Sequence, residues 1–187
     1  MLVIYGFLDE ILQNDQKSQN KRADESRAGK ILLDLLLKKK GIHLSSNDII
    51  KEGNRKPRLP MENVDFSITH SNGFVACALS VGEGMVGIDA EPMVSTISPE
   101  RQQAFANRFF SEKEKEKMDE GELSFSEIWT RKEAMLKQKG IGLAKKLTAA
   151  DTILCEGVKI STLCVDGFVL SVCAEWDSDF ELMKFEK

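Results

Sequence analysis

The sequence lacks any long apolar segment. None of its 187 residues falls in a run approaching the roughly 20 apolar residues that a membrane-spanning helix needs. The first ten residues have neither a basic region nor a small-residue cleavage site, so we expect no signal peptide and a cytoplasmic location. Hydrophobic residues make up 42% and charged residues 30%, which is ordinary for a globular protein and argues against disorder.

Acidic residues outnumber basic ones, and the cysteines show no metal-binding pattern. Lys and Arg number 26 against 30 Asp and Glu, and the resulting net charge of −4 argues against a general nucleic-acid-binding protein. The four cysteines contain no C-x-x-C spacing and are accompanied by only two histidines, so we expect no Cys/His metal site. Free thiols of this kind fit a reducing compartment.

Hydrophobic patterning predicts an α+β protein. Strand-like and helix-like segments alternate, with turn residues between them. The predicted strands cover residues 1–8, 64–69, 74–80 and 85–90, with more strands in the tail from 147. The predicted helices cover residues 22–40, 98–110, 111–119 and 122–139. Ser111 and Glu114 have the spacing of a capping box at the start of the third helix.

A weak internal repeat accompanies this pattern. The segment that begins at Gly73 is similar to the one that begins at Gly167, half a chain later. Two unrelated strands would also look this similar. The other interpretation is a duplicated α+β unit whose halves face each other, and ligand sites often lie between such halves.

A pair of acidic residues follows an apolar strand segment. In a strand, residues two apart point to the same face, so Asp89 and Glu91 are expected to project together just before Pro92. Two carboxylates on one face suit a hard divalent cation such as Mg²⁺, which is commonly shared with substrate phosphates. The alternative is a solvated strand end that carries two acids.

The predicted helix over residues 122–139 carries charge beside its apolar stripe. Lys132 and Glu133 flank the side of the helix that contains Trp129, and Lys137 lies one turn beyond Glu133. This placement favours a site at the edge of the buried face. The alternative is an ordinary surface Glu–Lys pair, which would stabilise the helix by only about 0.2–0.5 kcal/mol.

Two further segments are suited to bind an anion. His70 falls at a predicted hairpin turn beside Thr69 and Ser71, where ring and backbone N–H groups are able to bind phosphate. Residues 53–58 form a short basic loop that includes Lys56. The alternatives are a surface histidine and a loop that serves solubility.

Together these motifs resemble one family. Their order is similar to that in the 4′-phosphopantetheinyl transferases, specifically the surfactin-synthetase-activating (Sfp) type. The motifs are G-N-R-K-P at 53–57, F-S-I-T-H-S at 66–71, G-I-D-A-E at 87–91 and W-T-R-K-E-A-M-L-K at 129–137. The resemblance implies two similar α/β halves, at residues 1–84 and 85–187, related by a pseudo-twofold axis with the active site between them. It also implies a functional monomer.

The resemblance further implies an activity. Members of the family move the 4′-phosphopantetheine group from coenzyme A onto a serine of an acyl or peptidyl carrier protein, with Mg²⁺, and release adenosine 3′,5′-bisphosphate. By this likeness Asp89 and Glu91 are Mg²⁺ ligands, and Glu133 is the third ligand or the base that acts on the serine. Lys137 binds phosphate and stabilises charge on the leaving group.

The remaining roles concern coenzyme A. The resemblance implies that Lys56 and His70 contact its phosphates, that Lys132 lies near them, and that Arg27 contacts the nucleotide. Family members also place basic residues before the first long helix to hold the 3′-phosphate. That stretch is compressed here, and the candidates Lys17, Lys21 and Arg22 are left open.

Two other functions compete with this interpretation. A metal-dependent phosphoesterase would use the same carboxylates but release its product to water without a carrier protein. A catalytically silent module would bind carrier proteins only, although the retained Asp89, Glu91 and Glu133 argue against it.

Overall fold

Runs of strands and runs of helices follow one another along the chain, and the predicted α+β class is confirmed. A computed structural model describes residues 1–13, 17–140, 147–175 and 178–186. The strands are β1 Leu2–Phe7, β2 Val64–Ser71, β3 Phe74–Val81, β4 Gly87–Pro92, β5 Val158–Val165, β6 Phe168–Glu175 and β7 Glu181–Lys184. The helices are α1 Leu8–Ile11, α2 Lys21–Lys39, α3 Pro99–Phe109, α4 Glu112–Asp119 and α5 Phe125–Gln138. No helix in these ranges has both the length and the apolar character needed to cross a bilayer.

The strands form two sheets. The first has the order β2-β3-β1-β7 and the second the order β4-β6-β5. Neighbouring strands are antiparallel except for β1 and β7, which run parallel. The last strand of the chain therefore joins the first sheet rather than the second.

The two sheets share one connectivity. In each, a strand leads to a helix and then to a hairpin, and the last strand of the hairpin pairs with the first strand. The hairpin turns also match, because Asn72-Gly73 and Asp166-Gly167 all have positive φ, as a type I′ turn requires. The weak sequence repeat thus corresponds to two hairpins with the same turn geometry. The boundary between two halves at residue 84 stays a prediction.

The core lies between the sheets and under the helices. Alternate residues of each sheet pack against the other sheet, as the period of two along a strand dictates. Phe74 and Phe168, which follow the two hairpin glycines, stack there with ring centroids 4.6 Å apart. The opposite face of the first sheet packs against α2, and residues of α5 pack with the second sheet. The order of layers is therefore helix, sheet, sheet, helix.

Serine caps set the starts of the two helices that precede the second hairpin. Ser111 and Glu114 form the predicted capping box at α4. Ser124 and Glu127 form a second one, so α5 begins at Phe125 rather than at the predicted residue 122. These caps satisfy backbone N–H groups that have no partner within a helix.

Close contact between β4 and α5 requires a glycine at residue 87. A Cβ atom at Gly87 would overlap the backbone carbonyl oxygen of Ala134, which lies in the helix and cannot rotate away. We expect Gly87→Ala to lower the free energy of unfolding by about 3 kcal/mol, measured by urea denaturation.

A second glycine provides the matched control. Gly121 has a φ of 73°, but no atom lies within 4 Å of the position that a Cβ atom would take there, so Gly121→Ala carries backbone strain alone. We expect it to cost about 1 kcal/mol. Equal losses in the two variants would contradict the contact that Gly87 permits.

Candidate active site

A polar stripe on β2 connects the two sheets. Asp65 accepts a hydrogen bond from the backbone N–H of Val86 at 2.8 Å, and Ser67 Oγ accepts one from the N–H of Ile88 at 3.2 Å. These side chains belong to one face of β2, because its residues alternate between faces. Side-chain hydrogen bonds thus hold β4, a strand of the second sheet, beside the edge strand of the first.

The same stripe continues to the two predicted metal ligands. Thr69 Oγ1 donates to Asp89 Oδ1 at 2.9 Å, and Ser71 Oγ donates to Glu91 Oε2 at 2.8 Å. Asp89 and Glu91 therefore share one face of β4, as the spacing predicts. Each carboxylate is held by a hydroxyl group from the opposite sheet.

Helix α5 adds the remaining charged groups. Glu133 and Lys137 lie one turn apart and face a cavity of about 380 Å³, which is also lined by Thr69, His70, Asp89, Glu91 and Trp129. Lys137 Nζ lies 2.7 Å from Asp89 Oδ1 and donates to the carbonyl oxygen of Ile88 at 3.0 Å. Within the described ranges Lys137 pairs with Asp89 and not with Glu133, so the interpretation as a surface Glu–Lys pair is wrong.

Negative charge is in excess at this cavity. The pKa of Glu133 is raised to about 7, mainly by burial and also by the nearby Asp89 and Glu91, while Lys137 opposes the shift. Burial also raises the pKa of Glu91, although the hydrogen bond from Ser71 counteracts it. Three carboxylates thus face one ammonium group, and a cation in the cavity would relieve their repulsion.

The donor chemistry fits a hard cation. In the described part of the chain, no three His, Cys, Asp or Glu side chains form a ready-made metal cluster. Asp89, Glu91 and Glu133 nevertheless line the same cavity and supply only oxygen atoms, the donors that Mg²⁺ prefers. The hydroxyl groups of Thr69 and Ser71 already orient two of these carboxylates, as outer groups do around metal ligands.

A second cavity adjoins the first and is basic. Its volume is about 360 Å³, and it shares Ile68, His70 and Lys137 with the acidic cavity. Its positively charged wall comes from α2, from the loop before β2 and from α5. The side chains concerned are Lys30, Lys51, Arg55, Lys56 and Lys137. An anion in this cavity would therefore lie beside the acidic cavity, because His70 and Lys137 line both.

Lys56 lies in the wall of the basic cavity, but its ammonium group already has partners. It forms an ion pair with Asp65 and donates to the carbonyl oxygen of Val86 at 2.6 Å. Burial lowers the pKa of Lys56, and Asp65 opposes that shift. The residue therefore ties the basic loop to β2 and to the segment that leads into β4.

Two residues predicted to contact coenzyme A lie outside the walls of both cavities. Arg27 is 46% exposed, pairs with Asp24 at 2.8 Å, and is not part of the cavity wall. Lys132 is 0% exposed and forms a buried ion pair with Glu114 at 2.6 Å. Because neighbouring helix residues point about 100° apart, Lys132 faces α4 while Glu133 faces the cavity. Lys132 lines neither cavity, and its position near the phosphates stays a prediction.

The basic candidates just before α2 and in its first turn are also separate from the cavity wall. Lys17 pairs with Asp9 at 2.6 Å, and neither Lys21 nor Arg22 lines the cavity. The wall instead receives Ser26 and Lys30 from α2. Sequence reasoning missed these two, although their spacing of four residues, which places them on one helix face, was a usable signal.

Comparisons with known proteins find relatives of this chain. A sequence model of the 4′-phosphopantetheinyl transferase superfamily matches residues 85–178, which include β4 and α5. The chain is 36% identical over 114 residues to the 4′-phosphopantetheinyl transferase AcpT of Salmonella typhimurium, covering 58% of this chain and 56% of that protein. It is 31% identical over 166 residues to AcpT of Escherichia coli O157:H7, covering 85% and 79%.

A third relative matches the type that the motifs resemble. The chain is 31% identical over 156 residues to the 4′-phosphopantetheinyl transferase Sfp of Bacillus subtilis, covering 71% of this chain and 66% of that protein. The chain belongs to the 4′-phosphopantetheinyl transferase superfamily. The match spans little more than half the length of the Salmonella relative.

Proposed function

We propose that the chain transfers 4′-phosphopantetheine from coenzyme A to a serine of an acyl or peptidyl carrier protein. The observation that carries this proposal is the junction of the two cavities. One is lined by Asp89, Glu91 and Glu133, the other is basic, and His70 and Lys137 belong to both. A pyrophosphate with a nucleotide attached suits such a pair, since its charge needs cations on several sides.

One chain supplies both walls of this site. Thr69 and His70 come from β2 in the first sheet, and Asp89 and Glu133 come from β4 and α5. The repeated strand, helix and hairpin order supports the proposal that two halves are related by a pseudo-twofold axis. It likewise supports a functional monomer, because no second chain is needed to complete the cavity.

The nucleotide end of coenzyme A is proposed to bind in the basic cavity. Lys30 and Lys51 offer ammonium groups there, and Arg55 offers a guanidinium group. Phosphate groups are bound well by such donors. Lys56 contributes mainly by holding the loop in place, since two of its three donors are engaged by Asp65 and Val86.

The carboxylates are proposed to hold the metal. Asp89 and Glu91, with or without Glu133, would bind Mg²⁺. When bound, the ion would supply positive charge to the oxygens of the pyrophosphate and so stabilise the transition state. The hydroxyl groups of Thr69 and Ser71 hold the two β4 carboxylates in the orientation that ligation needs.

Glu133 is proposed to act as the base on the incoming serine. Asp89 and Glu91 are each engaged by a hydroxyl group, whereas Glu133 makes no hydrogen bond within the described ranges. The serine oxygen forms a bond to the phosphorus that carries the pantetheine arm, and its proton passes to Glu133. The bond between that phosphorus and the bridging oxygen breaks, and adenosine 3′,5′-bisphosphate leaves with the electron pair.

Lys137 is proposed to neutralise the leaving group. Its ammonium group lies where the two cavities meet and now pairs with Asp89. Positive charge at that point stabilises the bisphosphate as negative charge develops on it. The backbone of β4 helps to keep the ammonium group in place, because Lys137 also donates to the carbonyl oxygen of Ile88.

The contribution of α2 to coenzyme A binding is testable. We expect Lys30→Ala to raise the KM for coenzyme A about tenfold with little change in kcat, because one charge-assisted hydrogen bond to phosphate is lost. Lys38→Ala is the control, since it removes the same charge near the end of the same helix, away from the cavity wall. Equal effects of the two substitutions on KM would remove Lys30 from the site.

Dependence on a carrier protein tests the proposed reaction against its rivals. Coenzyme A and Mg²⁺ are incubated with the protein, with and without an apo carrier protein, and adenosine 3′,5′-bisphosphate is measured. We expect release only with the carrier. Release without a carrier would support the phosphoesterase alternative, and carrier binding without release would support the silent module.

A further inference from the structure

Glu25 links the first long helix to the β2–β3 hairpin. It lies in the second turn of α2, and its side chain is 10% exposed. Its Oε2 atom lies 3.2 Å from Nδ1 of His70, and its Oε1 atom accepts a hydrogen bond from the backbone N–H of Gly73 at 3.2 Å. One carboxylate therefore contacts both a ring and the turn that follows it.

The contact between Glu25 and His70 matters because His70 lines both cavities. Its side chain is 33% exposed and belongs to the walls of both cavities. A histidine ring has two nitrogen atoms, and a partner on one of them determines which role the other plays. With Nδ1 facing Glu25, Nε2 is the ring nitrogen that is left for a ligand.

We propose that Glu25 is a positioning residue that acts through His70. Glu25 accepts a hydrogen bond from Nδ1–H of the ring, and Nε2–H of the doubly protonated ring then donates to a phosphate group of the ligand in the basic cavity. The ligand part of this inference rests on the proposed function. The arrangement is of the kind in which a carboxylate orients a histidine that itself contacts the reacting partner.

The carboxylate group is needed because both of its oxygen atoms are in use. A glutamine at residue 25 offers only one acceptor oxygen, so when that oxygen accepts from the Gly73 N–H, its NH2 group can only donate to Nδ1 and favours a proton on Nε2. Glu25→Ala removes both acceptors. The two substitutions together therefore separate loss of the ring contact from loss of the turn contact.

Ring-nitrogen NMR tests the contact without any ligand. The chain has two histidines, so His70 is assigned by its absence from His70→Ala, and the exposed His43 serves as the internal reference. At alkaline pH, where a ring carries one proton, we expect that proton on Nδ1 of His70 in the wild type. In Glu25→Ala we expect it on Nε2, while His43 stays unchanged. A wild-type His70 without a proton on Nδ1 would overturn the proposal.

A double-mutant cycle tests the route to the ligand. Binding of coenzyme A is measured by calorimetry for the wild type, Glu25→Ala, His70→Ala and the double variant. We expect Glu25→Ala to weaken binding about tenfold in the wild-type background and by much less where His70 is already absent. Glu62→Gln removes one acidic charge from an exposed loop residue and should leave binding unchanged.

The outcomes separate this inference from the proposed function. Independent, additive effects of Glu25→Ala and His70→Ala would overturn the inference, and normal transfer to a carrier would then leave the transferase proposal intact. A wild type that binds coenzyme A but transfers nothing would contradict the transferase proposal, while the cycle would still decide the role of Glu25. Glu25→Gln, which keeps one acceptor, replaces Glu25→Ala if the latter does not fold.

Discussion

Glu133→Gln is expected to lower kcat by about 10²–10⁴-fold, the usual contribution of a general base. The substitution keeps the shape of the side chain but removes its negative charge and its capacity to accept a proton. Because His70 and the basic cavity are unaltered, binding of coenzyme A should remain. Turnover is measured with saturating coenzyme A, Mg²⁺ and apo carrier protein.

The stability of this variant distinguishes a lost base from a damaged fold. Burial, together with repulsion from Asp89 and Glu91 in the same cavity, makes the ionised form of Glu133 unfavourable in the folded protein. Glu133→Gln should therefore match or exceed the wild type in Tm without Mg²⁺. Glu116→Gln, at an exposed residue of α4, is the control for charge removal. Near-normal turnover of Glu133→Gln would exclude Glu133 from the reaction.

Lys132→Met is expected to lower the free energy of unfolding by about 3–5 kcal/mol, because it leaves a buried carboxylate without its counter-ion. Glu114, the partner, is 0% exposed and also accepts hydrogen bonds from Ser111 and Thr152. The Lys132 ammonium group donates to the carbonyl oxygen of Ala150 as well. The loss is a large share of the roughly 5–15 kcal/mol that stabilises a typical domain.

An exposed ion pair provides the matched control. Lys117 pairs with Glu120 and Glu122 at the surface, so Lys117→Met should cost less than about 1 kcal/mol. Both variants are compared by urea denaturation, and KM for coenzyme A is measured for the folded fraction. A stable Lys132→Met with a raised KM would contradict the burial of Lys132 and favour the phosphate contact that the sequence suggested.

The central part of the site was predictable because it depends on local periodicity. Residues two apart share a strand face, which brought Asp89 and Glu91 together. Residues four apart share a helix face, which aligned Glu133 with Lys137. The apolar residues of β4 and α5 predicted that each element has a buried face. The charged residues of both elements were therefore expected at the edge of that face.

Other parts depend on packing between distant segments. A helical wheel places Lys132 near the edge of the buried face, but it gives no information about α4, whose Glu114 receives the ammonium group. The capping box at Ser111 predicted one contact of Glu114 and not its role as a counter-ion. The tether between Lys56 and Asp65 likewise arises only when the loop folds against β2.

Joining of the two sheets is a further tertiary feature. The polar stripe on β2 alternates with the apolar residues Val64, Phe66 and Ile68 and is, in sequence, typical of a strand with one solvated face. In the folded chain that face meets β4, and Thr69 and Ser71 reach Asp89 and Glu91. The alternation of polar and apolar residues along a strand does not show whether its polar face is covered by water or by a neighbouring strand.

The intact mass of a carrier protein tests the central claim most directly. Apo acyl and peptidyl carrier proteins are incubated with this protein, coenzyme A and Mg²⁺, and each carrier is then weighed by mass spectrometry. Carriers whose acceptor serine is replaced by alanine, and reactions with a chelator in place of Mg²⁺, are the controls. We predict that at least one carrier gains the mass of one phosphopantetheine group on its serine, and that both controls gain nothing. Unchanged masses across a panel of both carrier types, with folded protein and bound coenzyme A, would contradict the account.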